Sequence, residues 1–241
     1  GVTRSAASML GAMIAGPVEE AAKVLPLMLL INRLKYRWTL NGMLFGATVG
    51  CGFAAFETAG YVLEFGLGNM LHTLVGTFGD VDKAIAAMIE QMRQVITLRG
   101  VLTLCGSHIV WTALCAAALW KVRGQRKFRP NMLADWRFLR VFLIVVGLHM
   151  AWNSPLPSFY YMKYIVIGFV GWTLVIFFIN DGLKQIRAAQ EELVQSSHDM
   201  ATAVLGATPG APREPAGDDS GAGKRAPTED EKRVWQEGAG W

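Results

Sequence analysis

Apolar residues gather into five long stretches along the chain, at about residues 7–31, 40–66, 98–120, 137–154 and 159–180, separated by polar connections. Each is near the ~20 residues that a membrane-spanning helix requires. The pattern predicts an all-α protein, a polytopic transmembrane helical bundle of about five spans. Between the second and third stretches, Val81, Ile85, Met88, Ile89, Met92 and Ile96 recur at helical spacing, with Asp82, Lys83, Glu90 and Arg93 off that stripe. This predicts an interfacial amphipathic helix over about residues 80–96, which either rests on the membrane as a connector or gates access from the outer face. From about Ser196 the chain is rich in Ala, Gly, Pro and mixed charges and poor in large apolar groups. A disordered tail over 196–241 is expected to follow a membrane domain over 1–195.

Four of the stretches carry ionisable or amide side chains in their middles. Glu19, Glu20 and Lys23 lie in the first, Glu57 in the second, His108 in the third, and His149 and Asn153 in the fourth. A charge in the hydrocarbon core costs a few kcal/mol or more, so such residues face a bundle interior or a water-filled cavity. The connections say which way the spans run. Arg33, Lys35 and Arg37 in the first, and Lys121, Arg123, Arg126, Lys127, Arg129 and Arg137 in the third, place those two in the cytoplasm. The chain then starts outside, and its C-terminal tail is cytoplasmic. Counted along each helix from that side, Glu19, Glu20, Glu57, His108, His149 and Asn153 fall in one layer, roughly 18–26 Å deep.

Composition agrees with a membrane protein: 52% of residues are hydrophobic and 17% charged. The net charge of +4 sits mainly in the connections, where it orients a membrane protein, so nucleic acid is excluded as a partner. Cys51, Cys105 and Cys115 are odd in number, lie in apolar stretches and form no C-x-x-C pair. They indicate neither a disulfide framework nor a cysteine metal site. The chain begins at Gly1 with no intact signal peptide and reads as a fragment or processed chain.

The spacing of the polar residues carries chemistry. Lys23 lies three residues from Glu20 and four from Glu19, so its ammonium reaches either carboxylate. Pro17 just before them loosens the helix. Gly42, Gly46, Gly50 and Ala54 form a small-residue stripe that lets two helices approach closely, and Glu57 continues it toward the neighbouring helix. His149 and Asn153 are four apart and are expected to project together. Two histidines and a carboxylate are a common ligand set for a catalytic zinc. On that reading Glu57, His108 and His149 hold Zn2+ or another divalent metal, Glu20 or Glu19 is the general base, and Asn153 donates to the oxyanion. A metal-free version uses a glutamate steered by one histidine to activate water, with the other histidine and Asn153 stabilising the oxyanion.

Four motifs in this order, Glu19-Glu20-Ala-Ala-Lys23, the run from Asn41 through Phe53 and Glu57 to Tyr61, Ser107-His108-Ile-Val-Trp-Thr112 and His149-Met-Ala-Trp-Asn153, resemble the PrsW family of intramembrane proteases, relatives of the CAAX prenyl proteases and bacteriocin-processing enzymes. The resemblance covers about residues 14–180. It implies a polytopic membrane peptidase, usually described as a metalloprotease, that cleaves a membrane-protein substrate such as an anti-sigma-factor-like protein. The family's paired-glutamate motif falls on Glu19, Glu20 and Lys23, its Phe-x-x-x-Glu motif on Phe53 and Glu57, and its histidine motifs on His108 and on His149 with Asn153. Thr58 stands where the family often has asparagine, and family members usually have further spans before the paired glutamates. The expectation is an endopeptidase of a bacterial-type inner (cell) membrane. The rivals are a non-catalytic membrane protein of the same fold that binds a peptide or partner helix, and a proton-linked transporter, for which no inverted repeat is evident.

Overall fold

The computed structural model of the chain describes residues 2–154 and 162–206. Six α-helices follow one another: α1 (Val2–Ile31), α2 (Thr39–Gly76), α3 (Val81–Thr103), α4 (His108–Arg123), α5 (Trp136–Asn153) and α6 (Met162–Gly206). Short 3-10 turns at Leu34–Tyr36 and Pro130–Ala134 complete the connections, and no strand occurs among the described residues. Three helical stretches are long and apolar enough to cross a membrane: Thr39–Gly76, Val81–Arg123 and Met162–Val204. Phe56, Val75 and Phe169 stand exposed on them, as apolar side chains do where lipid replaces water. The remaining long helices, α1 and α5, carry the paired glutamates and the His149–Asn153 segment.

Helix α4 is the centre of the bundle. Every residue from Val110 to Trp120 is buried, and α1, α2 and α5 all pack against it. Small residues make the α2–α4 contact possible. A Cβ placed on Gly42 would lie 2.7 Å from the Trp120 ring, one on Gly46 2.6 Å from the Ala116 methyl, and one on Gly50 2.8 Å from the Ile109 Cα. The stripe read from the sequence is thus a close-packed seam, and α4 is the helix it faces.

The basic connections meet at one end of this bundle. Arg123, fully buried, donates through its guanidinium to the Ile31 carbonyl and, at 3.1 Å, to the Tyr36 carbonyl. The Trp120 indole N–H donates to the same Tyr36 oxygen at 2.7 Å, and Asn32 Oδ1 accepts from the Phe128 N–H at 3.0 Å. The Arg123 bond satisfies the Ile31 carbonyl, which the end of α1 leaves without an intrahelical partner, and the others tie the following turn to the same end. They also put the two connections assigned to one side of the membrane on one side of the bundle.

At that end Asp135 caps α5, its carboxylate accepting from the Arg137 N–H at 2.8 Å and from the Arg137 guanidinium. The hydrogen bond from the Arg137 side chain holds this carboxyl below its ordinary value. Removing the cap with Asp135→Ala is expected to cost about 1 kcal/mol. Because the folded-state value is depressed, the contribution is present above the unfolded carboxylate range, near pH 4. It fades as pH falls through the folded value. Thermal unfolding of wild type and variant should therefore converge at acidic pH.

Three boundaries differ from the expected ones. The amphipathic helix runs on to Thr103, and what was expected as one span over 98–120 is divided by a turn at Leu104–Ser107, with Gly106 at φ 80°. The apolar run hides this break, because Val101, Leu102 and Leu104 continue the hydrophobicity while Gly106 and Ser107 end the helix. Second, α2 extends to Gly76, beyond the expected end at residue 66. Third, α6 continues to Gly206, so residues 196–206 of the expected disordered tail are helical. The segment Arg187–Gly206 is rich in Ala, Glu, Gln and Leu, which are strong helix formers. The chain divides into compact units at Gly1–Ile186 and Arg187–Trp241. The rest of the tail, residues 207–241, and the fourth connection lie outside the described residues.

Candidate functional site

The site is built where α1, α2, α4 and α5 converge. Lys23, one turn beyond the paired glutamates on α1, places its ammonium 2.7 Å from Glu20 Oε1 and 3.6 Å from Glu19 Oε2. The side chains of Glu20, Lys23 and His149 are each only 1% exposed. From α5, His149 sets Nδ1 2.8 Å from Glu20 Oε1 and Nε2 3.6 Å from Glu19 Oε2. From the first turn of α4, His108 sets Nδ1 2.7 Å from Lys23 Nζ and Nε2 2.8 Å from Glu57 Oε2. The glycine seam explains the reach: with no side chain at Gly50, α2 lies directly against the His108 backbone and delivers Glu57 two turns on.

Hydrogen-bond chemistry assigns the protons. An ammonium only donates, so His108 Nδ1 facing Lys23 carries a lone pair and Nε2–H donates to Glu57. Next to the Glu20 carboxylate, His149 Nδ1–H is the donor, and Nε2 lies 3.6 Å from Glu19 Oε2, beyond hydrogen-bond reach. Glu19 Oε2 is buried with no hydrogen-bond partner, and the Lys23 ammonium lies 3.6 Å from it. Aromatic rings wall the cluster: Trp111 lies 4.9 Å from the His149 ring, Phe53 5.1 Å from the His108 ring, and Lys23 sits 4.2 Å over Phe53. Water is largely excluded, which strengthens every charge interaction inside.

One ligand atom from each of Glu19, His108 and His149 lies within 4.8 Å of the other two. This donor set suits a divalent cation. The Glu19 oxygen without a hydrogen bond, 3.6 Å from His149 Nε2, fits such an ion, because a neutral His149 would offer a lone pair beside it. The histidines are already oriented in the manner of metal ligands, each giving its other ring N–H to a carboxylate. Here the grouping differs from the sequence reading, in which Glu57 joined the two histidines and Glu19 or Glu20 served as base. Glu57 instead holds His108 from behind. Its own charge is met by Arg99 of α3, whose guanidinium lies 2.5 Å from Glu57 Oε2.

Asn153 does not join the cluster. It is the last residue of α5 and exposed, so the four-residue spacing that pairs it with His149 carries it past the packed part of the helix. Arg99 is the residue the sequence reading passed over. Its signal was a charge count: Glu19 and Glu20 share one lysine, while Glu57 at membrane depth had no cation at all.

The family model of the PrsW family intramembrane metalloproteases matches residues 2–180. The chain belongs to the PrsW family. No curated protein and no solved structure matches it significantly. Within the PrsW frame the chain is a membrane protein of an intramembrane protease family, and the four motifs that carried the resemblance are the segments that build the cluster.

Proposed function

We propose that this PrsW protein is an intramembrane endopeptidase of a bacterial-type inner membrane, with its tail in the cytoplasm, that hydrolyses a peptide bond in a membrane-protein substrate such as an anti-sigma-factor-like protein. The observation that carries the proposal is the buried Glu19 carboxylate oxygen without a hydrogen bond, in a residue whose ligand atom lies within 4.8 Å of one from each of His108 and His149. Glu19, His108 and His149 would hold a divalent metal, zinc by the chemistry of the donors. When bound, that ion supplies a polarised water and a Lewis acid. Glu20 and Glu57 hold the imidazoles through Nδ1–H of His149 and Nε2–H of His108.

Glu20 is also the best placed general base. Its Oε1 is committed to Lys23 and His149, but Oε2 is buried with no hydrogen-bond partner. That oxygen can take a proton from the attacking water and return it to the leaving amine. Lys23, 2.7 Å from Oε1, holds the carboxylate in place for this task. The Lys23 ammonium also occupies the His108 Nδ1 lone pair, so this lysine must release His108 for the ring to serve as a ligand.

The test is cleavage of a single-span substrate by the purified chain in lipid nanodiscs. A chelator should abolish cleavage, zinc should restore it, and Glu20→Gln should be inactive with zinc present. Cleavage that survives exhaustive chelation would favour the metal-free glutamate mechanism. Intact binding of the substrate by a wild-type protein that never cleaves it would favour the binding-protein reading.

A further inference from the structure

Arg99 is the only cation the structure brings to Glu57 among the described residues, and it arrives from a helix outside the four that carry the motifs. Its guanidinium makes three contacts at once: NH2 donates to Glu57 Oε2 at 2.5 Å, Nε donates to Thr58 Oγ1 at 2.9 Å, and the plane lies 4.6 Å over the Tyr61 ring. All three partners are on α2, within one turn and a half. A planar fork fixed at two edges and one face has little freedom. The same Glu57 oxygen accepts from His108 Nε2–H. A short cavity of about 50 Å³, lined by Thr58, Arg99, Ser107, His108 and Trp152 among others, adjoins the pair.

We infer that Arg99 is a positioning residue, which fixes the Glu57 carboxylate so that it holds the His108 ring through Nε2–H with Nδ1 on the Lys23 side; the inference rests on the metal-centre reading above. Without Arg99, Glu57 at 22% side-chain exposure would be an uncompensated carboxylate in the membrane layer. It would rotate toward the cavity. His108 Nε2–H would then lose its acceptor, while Lys23 still holds Nδ1. The site is by this route tied to α3, which packs chiefly against α2 and joins α4 through the turn at Gly106.

The experiment uses the full chain in nanodiscs with two readouts. The first is the nitrogen spectrum of 15N-histidine-labelled, metal-free protein, with the His108 signals identified by their loss in His108→Gln. Wild type should show the Nε2–H tautomer at His108. Arg99→Gln should shift the His108 Nε2 signal as its hydrogen bond to Glu57 is lost, and Arg99→Lys should restore most of that shift, since an ammonium still neutralises Glu57. The second is zinc affinity by competition with a chromophoric chelator, where Arg99→Gln should weaken binding by about 10–100-fold. Thr58→Val, which removes only the Nε partner, should change it far less. An unchanged His108 spectrum in folded Arg99→Gln protein overturns the inference. The metal-centre reading fails separately, if wild type binds no zinc while the His108 spectrum still responds to Arg99.

Discussion

Glu20→Ala is expected to lower the stability of the folded chain by about 3–5 kcal/mol, because it strands two buried partners together. Lys23 Nζ and His149 Nδ1–H both donate to Glu20 Oε1, and all three side chains are almost fully buried. Neither partner has an equivalent acceptor to turn to, since the Glu19 carboxylate lies 3.6 Å from each. Glu20→Gln keeps the shape but not the charge and should lose less, about 1–3 kcal/mol. Cleavage should fall to background in both, since neither leaves a carboxylate to take the water's proton. Equilibrium unfolding in detergent micelles, paired with the cleavage assay, separates the two effects. An alanine variant as stable as wild type would show that Lys23 and His149 are not held as described.

Gly50→Ala is expected to be the most damaging small substitution outside the cluster. Its added methyl would meet the His108 backbone and the Ile109 Cα at 2.8 Å, and backbone atoms cannot rotate aside. Overpacking of this kind costs about 1–3 kcal/mol. Activity should fall further than stability, because α2 and α4 must part at the residue that carries a site imidazole. Gly52→Ala on the same helix is the control: nothing lies within 4 Å of its added Cβ. That variant should be neutral or gain the roughly 0.5–1 kcal/mol by which alanine exceeds glycine in a helix interior. Equal behaviour of the two variants would contradict the close-packed seam.

The sequence exposes the parts of this molecule that membrane physics makes expensive. Glu19, Glu20, Lys23, Glu57, His108 and His149 were legible because an ionisable group in an apolar stretch needs a partner, and the structure gathers all six. The aim of Glu57 was legible because it continues the glycine stripe. Its partner was not: whether a carboxylate faces a cation site or the back of a histidine depends on which ring nitrogen it meets, and helix spacing fixes the side-chain direction but not that choice. Arg99 escaped notice because it sat at an expected helix end, where arginine commonly marks a membrane boundary. The turn at 104–107 escaped because hydrophobicity runs through it unbroken. Asn153 was placed by spacing alone, which does not tell where a helix stops being covered.

The most direct test of the central claim is the zinc content of the purified, folded chain beside that of Glu19→Gln, His149→Ala and Glu57→Gln. The account predicts about one equivalent of tightly held zinc in wild type. It should be lost in Glu19→Gln and His149→Ala, and retained with weaker affinity in Glu57→Gln. Zinc kept by Glu19→Gln and lost from Glu57→Gln, or absent from folded wild type, would contradict it.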